Sequence, residues 1–290
     1  MTNRKWKISE ALFWASSFLN TKTTAPELLL AHLLRLDRTQ LLSNLRETCP
    51  DDIIEQFQEL MTRHKLGLPV QYLIGEEHFY GRSFLVNKSV LIPRPETEEL
   101  VQLMLQKMTA RFYKKQTITG CDVGTGSGVI AITLACEAKK LEMTATDISK
   151  DALQVAKQNA ERLNATNVTF VHGDLLYPVI SKRNRFDIIV SNPPYIETNA
   201  ISKLDVNVRA HEPHLALDGG KDGYAIYRKL IRQLPEVINE QAIIGFEVGV
   251  GQSKTVAALL HEQFPDANIE TTVDINGKDR IVSAEIGFYR

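Results

Sequence analysis

Asn192-Pro193-Pro194-Tyr195, preceded by Ser191, sets an amide, two prolines and a phenol in four consecutive positions. Two successive prolines hold φ at roughly −65° and remove two backbone donors, so the carbonyls here keep fixed directions and stay outside any helix. Such a turn is an acceptor platform. An amide or aniline-like NH₂ is a poor nucleophile because its lone pair is delocalised, but its two hydrogens can be gripped by the Asn192 side-chain oxygen and the Pro193 carbonyl. Acceptors fixed in this way stabilise the positive charge that develops as the nitrogen attacks, and no strong base is then required. The Tyr195 ring can pack on a planar substrate group and offer its π face to that charge. An isolated Asn-Pro pair often does no more than open a turn. Here the largely apolar run Phe186-Asp187-Ile188-Ile189-Val190 stands directly before it, and active groups of open α/β sheets gather at the carboxyl ends of strands.

A second constellation lies upstream. Asp122-Val123-Gly124-Thr125-Gly126-Ser127-Gly128 follows a strand predicted over residues 118–123 and leads into a helix over 129–138. Its glycines allow a sharp turn and close approach to a ligand, and the helix amino end presents unpaired amides. A dinucleotide fingerprint would need a third glycine where Val129 stands. Asp147 closes the next predicted strand about 20 residues beyond the loop, where crossover geometry brings an acid to ribose hydroxyls; its plainer role is to cap the helix that begins at Lys150. Asp174, in His172-Gly173-Asp174-Leu175, follows the third strand and can accept from an exocyclic adenine amine, or serve simply as a turn residue ahead of Pro178. Three strand ends thus converge on one nucleoside. Those roles suit any adenosine-bearing cofactor, and the amide-gripping turn on a fourth strand suits one with a sulfonium methyl for the nitrogen to attack, as in S-adenosylmethionine.

The elements that must position these residues are legible as period changes. From Ile8 to about Leu66 apolar residues recur at helical spacing with few Gly or Pro. Thr24, with a hydroxyl able to cap free amides, reads as a helix start with Pro26 and Glu27, and a further helix is expected from near Asp51 to near Gly67. Aromatic and β-branched residues between Leu68 and Ile92, punctuated by Gly75, Gly81 and Asn87-Lys88, suit short strands in a hairpin-like connector. Pro93-Arg94-Pro95 stops them, and Glu96-Thr97-Glu98-Glu99 opens an amphipathic helix with acids at its positive end. Strand-like and helix-like segments then alternate to the carboxyl end, with helices near 224–238 and 253–263 and strands near 242–248, 269–273 and 280–285, as in a parallel sheet with covering helices. The fold expected is α/β, a Rossmann-like sheet domain over 93–290 preceded by a helical domain over 1–75 and a hairpin linker over 76–92.

Composition narrows the class of function. The 290 residues carry 34 Lys plus Arg against 35 Asp plus Glu, a formal charge of −1, which argues against sequence-independent attraction to phosphate and direct binding to DNA. Apolar runs fall far short of the ~20 residues that span a bilayer, and the opening Met-Thr-Asn-Arg-Lys lacks an apolar signal core; a cytoplasmic protein with no membrane partner is expected. Cys49, Cys121 and Cys136 include no close pair and read as buried thiols. His211-Glu212-Pro213-His214 has the wrong spacing for zinc, and Pro213 breaks the helix such a site would use; no metal is expected, and Glu212-Pro213 is read as shaping a loop near the site. Arg94 suits either a ligand contact or an ion pair. The cluster Arg111-Phe112-Tyr113-Lys114-Lys115 is read as a solvated helix end.

Taken together, these residues resemble the release factor glutamine methyltransferase family (the HemK/PrmC group). The resemblance extends over nearly the whole chain, through Gln71-Tyr72-Leu73-Ile74-Gly75, residues 91–98, residues 122–128, Ser191-Asn192-Pro193-Pro194-Tyr195-Ile196, Glu212-Pro213 and Asp279-Arg280. It implies a five-helix-like amino-terminal domain, a hairpin linker and a seven-stranded class I methyltransferase domain; the helical domain, separate and beside the mouth of the site, is the natural candidate for substrate recognition. The resemblance further implies methylation of the glutamine in a Gly-Gly-Gln motif of class I peptide chain release factors. By the same resemblance Gly124, Thr125, Gly126, Ser127, Gly128 and Asp147 hold the cofactor, Asn192 touches cofactor and substrate, and Asn192, Pro193, Pro194 and Tyr195 hold the glutamine amide. Leu175 stands where bacterial members often carry Trp, which offers the adenine an apolar contact in place of a stack. Two other functions are compatible with some of these features: methylation of an adenine exocyclic amine on a flipped base, and a non-catalytic protein that binds release factors or ribosomes. The near-zero charge counts against the first and the intact acceptor tetrad against the second.

Overall fold

The computed structural model describes residues 5–21 and 23–288. The chain divides into two compact units, one formed by the residues up to Glu76 with Asp205–His211, the other by Glu77–Leu204 with Glu212–Arg290.

The first unit is helical: α1 (Ile8–Leu19), α2 (Ala25–Leu34), α3 (Arg38–Ser43), α4 (Asp51–Lys65) and α5 (Val70–Ile74). Its core is Leu29, Leu30, Leu41, Phe57 and Met61, with Trp14 stacked on Phe18 at 5.1 Å. Two expectations are corrected. The hydroxyl at the start of α2 belongs to Thr23, whose Oγ1 accepts from Ala25 N at 3.2 Å, while Thr24 makes no side-chain cap because its own backbone is already helical. Residues 70–74, expected to be extended, form the helical turn α5, which Gly75 ends at φ 84°; Pro69 in front of it supplies a helix-compatible start and the left-handed glycine its stop.

A hairpin follows, β1 (Glu76–Phe79) and β2 (Arg82–Leu85), which belongs to the second unit from Glu77 onward. Tyr80 and Gly81 both take positive φ, 50° and 72°, the backbone that suits a two-residue hairpin turn. A two-stranded hairpin is marginal alone. This one is secured by Phe79 and Phe84, buried edge to face at 6.0 Å in the main core of the unit, where each ring contributes about 1.5–3 kcal/mol by leaving water.

Helix α6 (Pro95–Arg111) follows, then β3 (Ile118–Val123), α7 (Val129–Glu137), β4 (Leu141–Asp147), α8 (Lys150–Arg162), β5 (Val168–His172), the single turn α9 (Tyr177–Ile180) and β6 (Phe186–Ser191). Helix α10 (Val206–His211) belongs to the first unit. The chain ends with α11 (Ala225–Gln233), β7 (Ile238–Glu247), α12 (Ser253–Gln263), β8 (Asn268–Val273) and β9 (Asp279–Ile286). The seven-stranded sheet runs β5-β4-β3-β6-β7-β9-β8. Strand β6 is buried along its whole length, as a parallel strand covered on both faces must be, and α7 is buried on nearly every side.

The parallel reading holds through β7 and fails at β9, which runs antiparallel to both β7 and β8. The reason is the short β8–β9 turn, closed by Asp274 N to Lys278 O at 2.8 Å; a connection this short can only reverse the chain. Ile238, expected at the end of a helix, instead begins β7, since Leu234-Pro235-Glu236 tightens into a 3₁₀ turn that stops α11. The basic cluster at the end of α6 is solvated as expected, with Arg111, Tyr113, Lys114 and Lys115 exposed, but it is also anchored. Phe112 is core, Arg111 pairs with Glu285 at 2.5 Å and Lys115 with Asp187 at 2.5 Å. Cys49 and Cys121 are buried and Cys136 half-buried, all as free thiols. No helix among the described residues is long and apolar enough to cross a membrane.

Candidate active site

Strand order reverses between β3 and its two neighbours, β4 on one side and β6 on the other, which opens a crevice beyond their carboxyl ends. The register aligns those ends in one row: Asp122 lies opposite Val190 of β6, Val123 opposite Thr146 of β4, and Asp147 opposite His172 of β5. The glycine loop, Asp147 and the proline turn are therefore adjacent although far apart in sequence.

The loop is built to expose its backbone. Gly124, Gly126 and Gly128 take φ of 74°, 56° and 85°, a region that L side chains rarely enter. A Cβ at Gly124 or Gly126 would project into open space, whereas at Gly128 it would strike Ile132 and Ala156. The first two glycines thus leave a cradle clear for a ligand, and the third lets α7 pack on α8. Two anchors hold the loop down: Gly124 N and Thr125 N donate to Thr146 O at 2.9 and 3.0 Å. Beneath it, Asp122 accepts from Thr125 Oγ1 at 2.6 Å and Ala131 N at 3.2 Å, with its second oxygen buried and unpartnered. Burial pushes the Asp122 carboxyl up to about 7 against the pull of those bonds. Asn159 of α8 ties the hairpin to the loop, accepting from Leu85 N at 2.6 Å and donating to Leu85 O and Ser127 O.

Asp147 does not cap α8, a role that Ser149 takes by accepting from Ala152 N at 3.1 Å; it ties the start of that helix to the glycine loop instead. Its Oδ1 accepts from Ser149 N at 2.8 Å, next to the α8 cap made by Ser149 itself, and its Oδ2 accepts from Gly126 N at 2.9 Å. Each oxygen keeps a lone pair, and burial raises the carboxyl above its usual range. Asp174 lies beyond the neighbouring strand and is exposed. Leu175 takes φ 49° and leans partly against the core beneath β7.

The proline turn is clamped from several directions. Ser191 Oγ donates to Val123 O at 2.6 Å, fastening the turn to the root of the glycine loop. Gln252, just ahead of α12, accepts from Gly249 N and donates through Nε2 to Tyr195 O, both at 3.0 Å. Ile196 forms a parallel bridge to Asp218, and a Cβ on Gly219 or Gly223 would collide with the Tyr195 backbone. Burial, with the nearby Glu247 charge, raises the Tyr195 phenol, so it stays neutral at ordinary pH. Asn192 is half-buried and donates through Nδ2 to Thr97 Oγ1 at 3.2 Å; Thr97 in turn donates to Glu247 Oε2 at 2.6 Å. Arg94 is held by Glu212 at 2.5 Å, while the other Glu212 oxygen accepts from Ile92 N. That geometry favours the ion-pair role for Arg94 and occupies the acid of the His-Glu-Pro-His stretch.

Sequence reading overlooked Thr97, Glu247 and Gln252. Each reaches the turn from a different element, and no local motif marks such pairings. The one available signal was a threonine inside an otherwise acidic helix start, facing inward.

Residues 96–217 match the family model described as methyltransferase small domain, and residues 10–75 match the PrmC N-terminal domain. The chain is 47% identical over 283 residues to the release factor glutamine methyltransferase of Bacillus anthracis, covering 97% of this chain and 99% of that protein. It is 46% identical to the Bacillus subtilis (strain 168) protein of the same name, covering 96% and 98%. The Staphylococcus aureus protein of that name is 38% identical, with 98% and 99% covered. Among solved structures, the hMettl16 catalytic domain superposes with a TM-score of 0.55 at 14% identity, covering 84% of this chain and 86% of that one. A methyltransferase from Pyrococcus furiosus gives 0.50 at 15%, covering 80% and 98%. These two share the fold.

Proposed function

This chain belongs to the release factor glutamine methyltransferase family, and from that premise we propose that it transfers a methyl group from S-adenosylmethionine to the glutamine side-chain nitrogen in the Gly-Gly-Gln motif of class I peptide chain release factors, modulating translation termination. The observation that carries this reading is the rigid Asn192-Pro193-Pro194-Tyr195 turn fastened, through Ser191, to the root of the glycine loop. Backbone acceptors and a cofactor cradle meet there at one point.

In this reading the open faces of Gly124 and Gly126, with Thr125, Ser127 and Gly128, hold the donor, Asp147 accepts from its ribose, and Asp174 and Leu175 border its adenine. When bound there, S-adenosylmethionine supplies an electrophilic methyl group on a positively charged sulfur. Asn192 Oδ1 and the Pro193 carbonyl each accept one hydrogen of the substrate NH₂, which orients its lone pair and offsets the charge gathering on nitrogen. Pro194 keeps the turn rigid, and the neutral Tyr195 ring covers the amide plane. No group is required to remove a proton before transfer, since the cationic nitrogen that results sheds its proton readily.

We further propose that residues 1–75 act as a substrate-recognition module, with 76–92 a linker and 93–290 the catalytic domain. A concavity lined by Trp6, Phe13 and Trp14 together with Ser9 and Glu10, with Phe13 76% exposed, supports that role. The setting proposed is the cytoplasm, where release factors work.

The test is transfer of labelled methyl from S-adenosylmethionine to a purified class I release factor, with its Gly-Gly-Gln glutamine intact or replaced and duplex DNA in parallel. Label on the intact factor alone is expected. Label on DNA would move the reading to adenine methylation.

A further inference from the structure

A carboxylate accepts hydrogen bonds and donates none, a hydroxyl can do one of each, and a primary amide is an acceptor at one end and a donor at the other. These rules fix the polarity of the chain Glu247–Thr97–Asn192. Glu247 ends β7 and is 2% exposed; Thr97, in the first turn of α6, is 3% exposed. The Thr97 proton is committed to Glu247 Oε2 at 2.6 Å, so toward Asn192 the hydroxyl presents lone pairs alone. Asn192 must then turn Nδ2 to it, as found at 3.2 Å.

Resting on the proposed function above, we infer that Glu247, acting through Thr97, is a positioning residue that locks the Asn192 amide with Oδ1, not Nδ2, toward the reacting nitrogen. The two ends of an amide are nearly equal in shape, so packing does not choose between them; the hydrogen-bond network does. A flipped Asn192 would set its own N–H against the N–H of the substrate and remove one of the two grips on the amide.

The surroundings hold the Glu247 carboxyl in place, although burial opposes its charge. Tyr227 OH donates to the Glu247 carbonyl at 2.6 Å, fixing the end of the strand. Burial, the largest influence, raises the carboxyl to about 7 with help from Glu96, while the bond from Thr97, Arg280 of β9 from the closing Asp-Arg pair, and the nearby Asn192 amide favour the charged form. Arg280 is itself directed by Asp274, 3.3 Å away.

The experiment uses the full chain with S-adenosylmethionine and a class I release factor, comparing wild type with Thr97→Val, Thr97→Ser and Glu247→Gln. Thr97→Val and Glu247→Gln are expected to lower kcat roughly 10- to 100-fold, with Thr97→Ser within about threefold of wild type, because a misdirected polar group in a preorganised site loses transition-state stabilisation. The affinity for S-adenosylhomocysteine, measured by calorimetry, is expected to stay within about threefold, since the glycine loop is untouched. A purely structural role would lower the melting midpoint and leave kcat of the folded fraction intact. Unchanged kcat in both Thr97→Val and Glu247→Gln overturns the inference, as does a Thr97→Ser variant as impaired as Thr97→Val. A wild-type chain that methylates no factor overturns the proposed function, and this inference with it.

Discussion

The loop after β3 and the turn after β6 lie side by side and are built differently. Glycines at positive φ leave open space before the first, with the amino end of α7 behind it, while its Gly124, Thr125, Gly126 and Gly128 amides are bonded to Thr146, Asp147 and Thr125. Prolines strip donors from the second and leave carbonyls and an amide oxygen. Each is backed by a buried acid raised to about 7 by burial, Asp122 under the loop and Glu247 beside the turn. The two acids differ in reach. Asp122 bonds to residues three and nine positions away, whereas Glu247 bonds to Thr97 across 150 positions and through it to Asn192. One half of the site supports itself locally; the other depends on the whole sheet being assembled.

That contrast predicts different failures. Asn192→Ala removes the side-chain acceptor and is expected to lower kcat roughly 10³-fold or more while the fold survives; single-turnover transfer measures it, and near-normal turnover would break the division of labour. Gly126→Val places a branched side chain in the donor cradle at a left-handed φ of 56°, which is expected to weaken S-adenosylhomocysteine binding about 10- to 100-fold in calorimetry. Retained affinity there would mean that the loop is not the cradle.

The pH responses sharpen the comparison. Glu247 must be ionised to impose its polarity, so kcat is expected to rise with pH through about 7, and a Glu247→Gln variant should lose that rise as well as rate. Its neighbours Arg280 and Glu96 shift the midpoint in opposite directions without reversing the trend. Asp122 acts on stability. A carboxyl raised in the folded state binds its proton more tightly there than when unfolded, so its contribution is complete below its ordinary value of 3.8 and is lost as pH rises to about 7. Thermal melts of Asp122→Asn across that window are expected to show a shallower decline than wild type, the smallest of these effects.

The same contrast separates what was legible in the sequence. The glycine loop, Asp147 and the proline turn are contiguous motifs whose residue types carry their chemistry, and strand ends were readable from flanking apolar runs, so the β3–β6 crevice could be anticipated. Thr97, Glu247 and Gln252 could not. Each acts on the turn through a pairing set by strand order and helix docking, which no local period encodes. The β9 reversal was hidden for a related reason: residues 280–285 look alike in a parallel or an antiparallel strand, and the short turn before them decides the direction. The α2 cap shows the finer limit, since two adjacent threonines differ only in which backbone is already helical.

The central claim is that the turn grips a side-chain amide and presents its nitrogen to the methyl group. Fragmentation mass spectrometry of a class I release factor after incubation with the enzyme and S-adenosylmethionine locates the added methyl directly. A single methyl on the side-chain nitrogen of the Gly-Gly-Gln glutamine, absent with Asn192→Ala, is the predicted result; a methyl on another residue of the factor, or one that persists in that variant, would contradict it.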